Sequence, residues 1–171
     1  MGKSTVLGQF EKLGVQTASA DQFAKEIFES DACQSKISEK FGLDLPLDRS
    51  ELRKKIASDE NARKFINSLM HPDIIVRIRE SKAAIVEVPL LVESCLQYEF
   101  DQIWVIDCPF QVQIDRLTQR IGDPEVAKSL ISVQIPARVR KFFADQIIRT
   151  DMPVSDVFEL SRGLVHAFGL V

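Results

Sequence analysis

The chain alternates between two hydrophobic rhythms. Between Ser4 and Leu13, apolar residues recur at Val6, Leu7, Phe10 and Leu13, the spacing of one helix face, and Gly14 follows as a helix-ending residue. "VQTAS" (15–19) is short and partly β-branched and predicts a strand, with Asp21 just beyond it at the start of a helix "DQFAKEIFES". Residues 32–82 carry helical patterns only: "ACQSKISEKF", "RSELRKKIA" and "ENARKFINSLM", with a loop around "GLDLPLD". Ser58 or Asp59 is placed to cap the third pattern. "HPD" (71–73) is expected to interrupt the helix, with Pro72 opening the next one.

Continuous apolar runs follow. "AAIVEVPLL" (83–91), broken only by Glu87, and "QIWVIDC" (102–108), ending near Asp107, predict buried parallel strands. An amphipathic helix "FQVQIDRLTQRIG" comes next, with Val112, Leu117 and Ile121 among its apolar positions. Residues 124–143 form two helical pieces separated by Pro136, the second of them basic, with Phe142 and Phe143 as its expected core. "DQIIRT" (145–150) gives a last strand and "SDVFELSRGLVHAF" a last helix. Strands alternating with helices predict an α/β fold with a doubly wound parallel sheet, and 32–82 a helical insertion on it.

Composition narrows the picture modestly. With 171 residues, 45% of them hydrophobic, the chain is long enough for a sizeable core. The net charge of −3 gives no reason to expect nucleic acid or an anionic membrane as partner. No apolar run approaches the roughly 20 residues of a membrane span. Cys33, Cys95 and Cys108 are scattered, which fits packing thiols in a reducing, cytoplasmic setting. Trp104 also reads as packing, and His71, ahead of a proline, as a capping or hydrogen-bonding residue.

The candidate chemistry starts at the chain's first residues. Gly2-Lys3-Ser4 is the second half of the P-loop pattern G-x-x-x-x-G-K-[ST], in which backbone N–H groups at a helix start cradle phosphate. In the full motif Lys reaches the β- and γ-phosphates and the Ser/Thr hydroxyl ligates Mg²⁺. The opening glycine and the central strand that feeds such a loop would lie upstream of Met1. The expectation is that the natural chain starts there and that Met1 is internal. Asp21 is either a helix cap or a base at a strand's carboxyl end, where open α/β sheets bind ligands. Glu87 is either a carboxylate beside Mg²⁺ or a surface acid in an ion pair. Arg116 and Arg120 lie four apart on one helix face, and Arg138, Arg140 and Lys141 follow the Pro136 break. Each alone reads as a solvated helix face; together the two clusters suggest a cationic lid over a transferring phosphate.

Several segments in order resemble the dephospho-CoA kinase family, across essentially the whole chain. "GKSTV" followed by "SAD" resembles its P-loop and the D-A-D strand end. "MHPDI" resembles its L-x-H-P-x-I, and "VEVPLLVES" its V-P-L-L-x-E. "DQIWVIDCPFQVQIDRLTQR" and "VQIP" through "ADQII" resemble its later strand, helix and lid. Ser19 and Thr150 depart from the family's usual Asp and Asn. The resemblance implies a P-loop kinase-like fold in one domain over 1–171. It implies a helical CoA domain at about 25–82 and a lid at about 116–143. It implies phosphorylation of the ribose 3′-hydroxyl of dephospho-CoA by MgATP, the last step of coenzyme A synthesis. By position, Asp21 would be the catalytic base, and Gly2, Lys3, Ser4 and Thr5 would hold nucleotide. Ser4 and Glu87 would serve the metal, and Arg116, Arg120 and Arg140 the phosphates. Two other readings stay open: a degenerate P-loop protein that binds a CoA-like ligand or a partner without phosphoryl transfer, and a P-loop kinase for another small molecule.

Overall fold

The structure is a computed structural model that describes residues 1–48, 52, 55, 59–132 and 134–171. The described chain forms two compact units, Ala18–Val88 and the remainder, Met1–Thr17 with Pro89–Val171.

In the larger unit, helix α1 (Lys3–Lys12) buries Val6 and Phe10. It ends where predicted: Gly14, with a φ of +83°, lets the chain turn back so that the Val15 amide donates to the Phe10 carbonyl at 3.1 Å. In the smaller unit, β1 (Thr17–Ser19, its first residue belonging to the larger unit) pairs with β2 (Ile85–Glu87). Both strands are half-buried along their length, so the expectation of a fully buried β2 does not hold. A two-stranded sheet has too few neighbours to cover both faces.

Between these strands lie α2 (Ala20–Glu29), α3 (Asp31–Phe41) and α4 (Glu60–Glu80). Their core is Ile27, Cys33, Ile37, Ala62, Ile66, Ile74 and Ile78. Burial pushes the Cys33 thiol pKa up, and nearby Asp73 adds to the effect. Asp59 caps α4, its Oδ1 accepting the amides of Asn61 (2.8 Å) and Ala62 (3.1 Å). Ser58, the alternative cap, and most of the "RSELRKKIA" pattern lie outside the described residues.

The expected break at "HPD" is absent: α4 runs for 21 residues with Pro72 inside it. Ala62, Ile66, Ile74 and Ile78 fall on one stripe that continues across the proline, while Pro72 itself faces solvent. A proline inside a helix costs about 3 kcal/mol. Each buried aliphatic side chain returns roughly 1.5–3 kcal/mol, so the shared stripe prevails over the local penalty.

The larger unit continues after β2. A 3₁₀ turn (Gln97–Glu99) leads to β3 (Trp104–Asp107), then α5 (Phe110–Ile121), α6 (Pro124–Ser132), α7 (Ala137–Phe142), β4 (Gln146–Arg149) and α8 (Val154–Phe168). β3 and β4 are parallel, with Trp104 opposite Gln146 and Asp107 opposite Arg149. Trp104 packs between Phe10 of α1 and Phe168 of α8, ring centroids 5.6 and 5.2 Å away. Pro136 precedes α7, as its fixed φ at a helix start suits. Phe142, expected in a core, is 86% exposed; a six-residue helix has too few turns to bury both it and Phe143. Cys95 is likewise exposed rather than packed, in a turn where its φ is +56°.

Replacing Pro72 by Ala restores a backbone donor without touching the buried stripe. It is expected to stabilise the protein by about 1–3 kcal/mol, read as a raised melting temperature. A lower melting temperature would mean that the ring itself makes a stabilising contact.

Candidate active site

The start of α1 is a sharp glycine turn. Gly2 precedes the helix in the left-handed conformation, φ +85° and ψ 21°. A Cβ there would sit 3.4 Å from Thr150 Oγ1 and 3.5 Å from two Thr150 carbons, so both backbone and surroundings call for glycine. The first helical hydrogen bond runs from Val6 N to Gly2 O at 3.0 Å. The amides of Lys3, Ser4 and Thr5 therefore precede the intrahelical ladder and present the positive end of the helix dipole. Lys3 is half-buried at this turn, and Ser4 and Thr5 are exposed.

Thr150, at the end of β4 and 5% exposed, fastens this turn to the sheet. Its amide donates to the Asp107 carbonyl at 3.0 Å. Its hydroxyl donates to the Met1 carbonyl at 2.7 Å and lies 3.3 Å from that of Asp107. Arg116 of α5 then binds Thr150 twice, Nη1 to Oγ1 at 3.2 Å and Nη2 to the carbonyl at 2.7 Å. One threonine thus joins the α1 turn, the end of β3 and an arginine.

Arg140 arrives from α7. Its Nη1 donates to the Ile135 carbonyl at 2.7 Å and its Nη2 contacts the Met1 sulfur at 3.4 Å. Its Nε is buried without a hydrogen-bond partner. Sulfur is a weak acceptor, so this guanidinium keeps donor capacity beside the α1 turn. Electrostatics report the same gathering of cations. The Met1 ammonium pKa is lowered chiefly by burial. Lys3, Arg116 and Arg120 lower it further, and Cys108 works in the opposite sense.

The larger unit therefore brings together Gly2, Lys3, Ser4, Thr5, Arg116, Arg120 and Arg140. Asp21 and Glu87 belong to the smaller unit. Asp21 is not the helix cap that its position suggested: α2 begins one residue earlier, Ser19 holds the cap position, and the Asp21 carboxylate is exposed in the first turn. Glu87 is the last residue of β2, half-buried, and β2 pairs with the strand that leads into Asp21. His71 is half-buried within α4. Among the described residues, no group of three or more His, Cys, Asp or Glu is arranged to hold a metal.

Sequence reasoning missed Asp107 and Glu93. Asp107, 5% exposed, holds Lys141 Nζ at 2.6 Å and lies 3.8 Å from Arg149 Nη1. The signal for it was a lone acid closing an apolar run. Glu93 accepts the Ile135 amide at 3.3 Å, a pairing across 42 residues that no local pattern encodes. Beyond the strand, Arg149 grips Asp151 with two bonds of 2.8 and 2.7 Å, which hold the Asp151 carboxyl down to about 2 and raise the Arg149 pKa.

Comparison with known proteins identifies the family. Residues 1–156 match the family model described as CoaE: Dephospho-CoA kinase. A dephospho-CoA kinase of Idiomarina loihiensis is 30% identical over 169 residues, covering 91% of this chain and 84% of that protein. One of Xanthomonas euvesicatoria pv. vesicatoria is 33% identical, covering 95% and 88%. Among solved structures, dephospho-CoA kinase from Campylobacter jejuni superposes with a TM-score of 0.70 at 27% identity, covering 98% of this chain and 91% of that one. TT1252 from Thermus thermophilus shares the fold, with a TM-score of 0.83 at 20% identity over 97% of this chain and 91% of that one.

Thr150→Val keeps the shape and removes the hydroxyl. The bond to Met1 O and one of the two Arg116 bonds are lost, and stability is expected to fall by about 1–3 kcal/mol. Urea unfolding measures it; an unchanged midpoint would show that the knot is not stabilising.

Proposed function

The chain belongs to the dephospho-CoA kinase family, and from that premise we propose that it transfers the γ-phosphoryl group of ATP to the ribose 3′-hydroxyl of dephospho-CoA, yielding CoA and ADP. The observation that carries the reading is the family match across residues 1–156, which spans the α1 turn, both arginine helices and β4.

Each residue then has a chemical task. The amides of the α1 first turn and Lys3 receive the phosphates. Arg116, Arg120 and Arg140 neutralise charge on the transferring group, the dominant need in phosphoryl transfer. Asp21 takes the proton from the 3′-hydroxyl. The freed oxygen bonds to the γ-phosphorus as the bridge to the β-phosphate breaks, and ADP leaves with the electron pair. The exposed Ser4 hydroxyl, beside Lys3 in the first turn, suits Mg²⁺, which takes few protein ligands and keeps phosphate oxygens and waters. Mg²⁺ would supply charge neutralisation between the β- and γ-phosphates. By position, Glu87 is a further metal carboxylate in this reading.

The helices α2, α3 and α4 serve as the CoA-binding region, at about 25–82, and the segment at about 116–143 as the lid. A cytoplasmic location fits the substrates; no described helix is long and apolar enough to cross a membrane. Neither nucleic acid nor a membrane is needed as partner.

Asp21→Asn is expected to fold and to bind MgATP normally while turnover drops about 10²–10⁴-fold. The check is CoA formation from dephospho-CoA and MgATP, run beside nucleosides as acceptors. Unchanged kcat would remove Asp21 as base. Preference for a nucleoside would move the chain to a different substrate.

A further inference from the structure

Arg140 sits on a helix that cannot hold itself. Six residues are far below the length at which a helix is stable alone, so α7 depends on its anchors. Two are visible. Ahead of the helix, the Ile135 amide is held by Glu93 while the Ile135 carbonyl is held by Arg140 itself. At its far end, Lys141 reaches the buried carboxylate of Asp107 at 2.6 Å.

The second anchor is the stronger. Asp107 is 5% exposed, and a buried carboxylate is costly without a cation close by. Arg149 lies farther off, at 3.8 Å, and its guanidinium is engaged by Asp151. Lys141 is thus the cation that Asp107 requires, and it directly follows Arg140 in the chain. Meanwhile the Asp107 carbonyl accepts from Thr150, the residue that holds Arg116 and the α1 turn. Side chain and main chain of one residue therefore reach both arginines.

We propose that Asp107 is a positioning residue of the phosphate site: its carboxylate, through Lys141, fixes the direction of Arg140. This rests on the proposed role of Arg140 at the transferring phosphate.

The test compares Asp107→Asn, Lys141→Gln and Arg140→Ala, alone and in pairs, by kcat, KM for both substrates, melting temperature, and the NMR signal of the Arg140 guanidinium. Lys141→Gln breaks the pair from its more exposed end and serves if Asp107→Asn does not fold. Each of the two pair-breaking variants is expected to lower kcat about 10- to 100-fold, with KM for dephospho-CoA little changed. The Arg140 signal shifts in both, and the combined variant is no slower than the slower single one. On an Arg140→Ala background, Asp107→Asn adds nothing. Losses that multiply on that background, or a lowered melting temperature with kcat and the Arg140 signal unmoved, would overturn the inference. Failure of the kinase reading shows separately, as wild-type protein that forms no CoA; the Arg140 signal then still decides the positioning claim.

Discussion

The buried end of the β3–β4 pair is the point on which the larger unit's site depends. Two parallel strands finish at Asp107 and at Thr150, one residue beyond Arg149. There a backbone bond, a shared hydroxyl and a fork of two arginine bonds meet within one side chain's reach. Such bonds are modest one by one, near 1 kcal/mol net, but costly to leave unmade when buried. Their placement couples a helix start, a strand end and a cation, so none of the three moves alone.

The site also shows why overall charge is a poor guide to local potential. The chain carries a net charge of −3, yet Lys3, Arg116, Arg120 and Arg140 gather around one helix start whose dipole adds to their field. Of these, Arg116 and Arg140 are held by carbonyls, a hydroxyl and a sulfur atom. Neutral acceptors fix a guanidinium without cancelling its charge. Lys141, by contrast, is paired with a full charge, the carboxylate of Asp107.

Local chemistry made much of this legible in advance. Gly14 as a helix end, Pro136 as a helix start and the apolar run into Asp107 each follow from backbone or burial preferences that a few neighbouring residues express. The misses share a cause as well. Pro72 fails to break α4 because its neighbours on the stripe are buried by other helices, a fact invisible in "HPD". Phe142 is exposed because α7 is too short to enclose it, and hydrophobicity alone cannot give a helix's length in turns. Asp21 is displaced from the cap because α2 starts at Ala20, directly after β1, rather than at Asp21 as the pattern implied. The Glu93 and Lys141 pairings span 42 and 34 residues of sequence, so only the folded chain brings their partners together.

The single tryptophan carries a last consequence. Trp104 lies between Phe10 and Phe168, where three elements of the larger unit meet, and the chain's one tyrosine, Tyr98, belongs to that unit too. Tryptophan and tyrosine emission from this protein therefore reports on the larger unit alone. The smaller unit, which includes the 21-residue α4, is silent in that emission but contributes to the circular dichroism. Emission follows the larger unit and dichroism the helices of both, so an offset between the two melting curves measures how independently the units unfold.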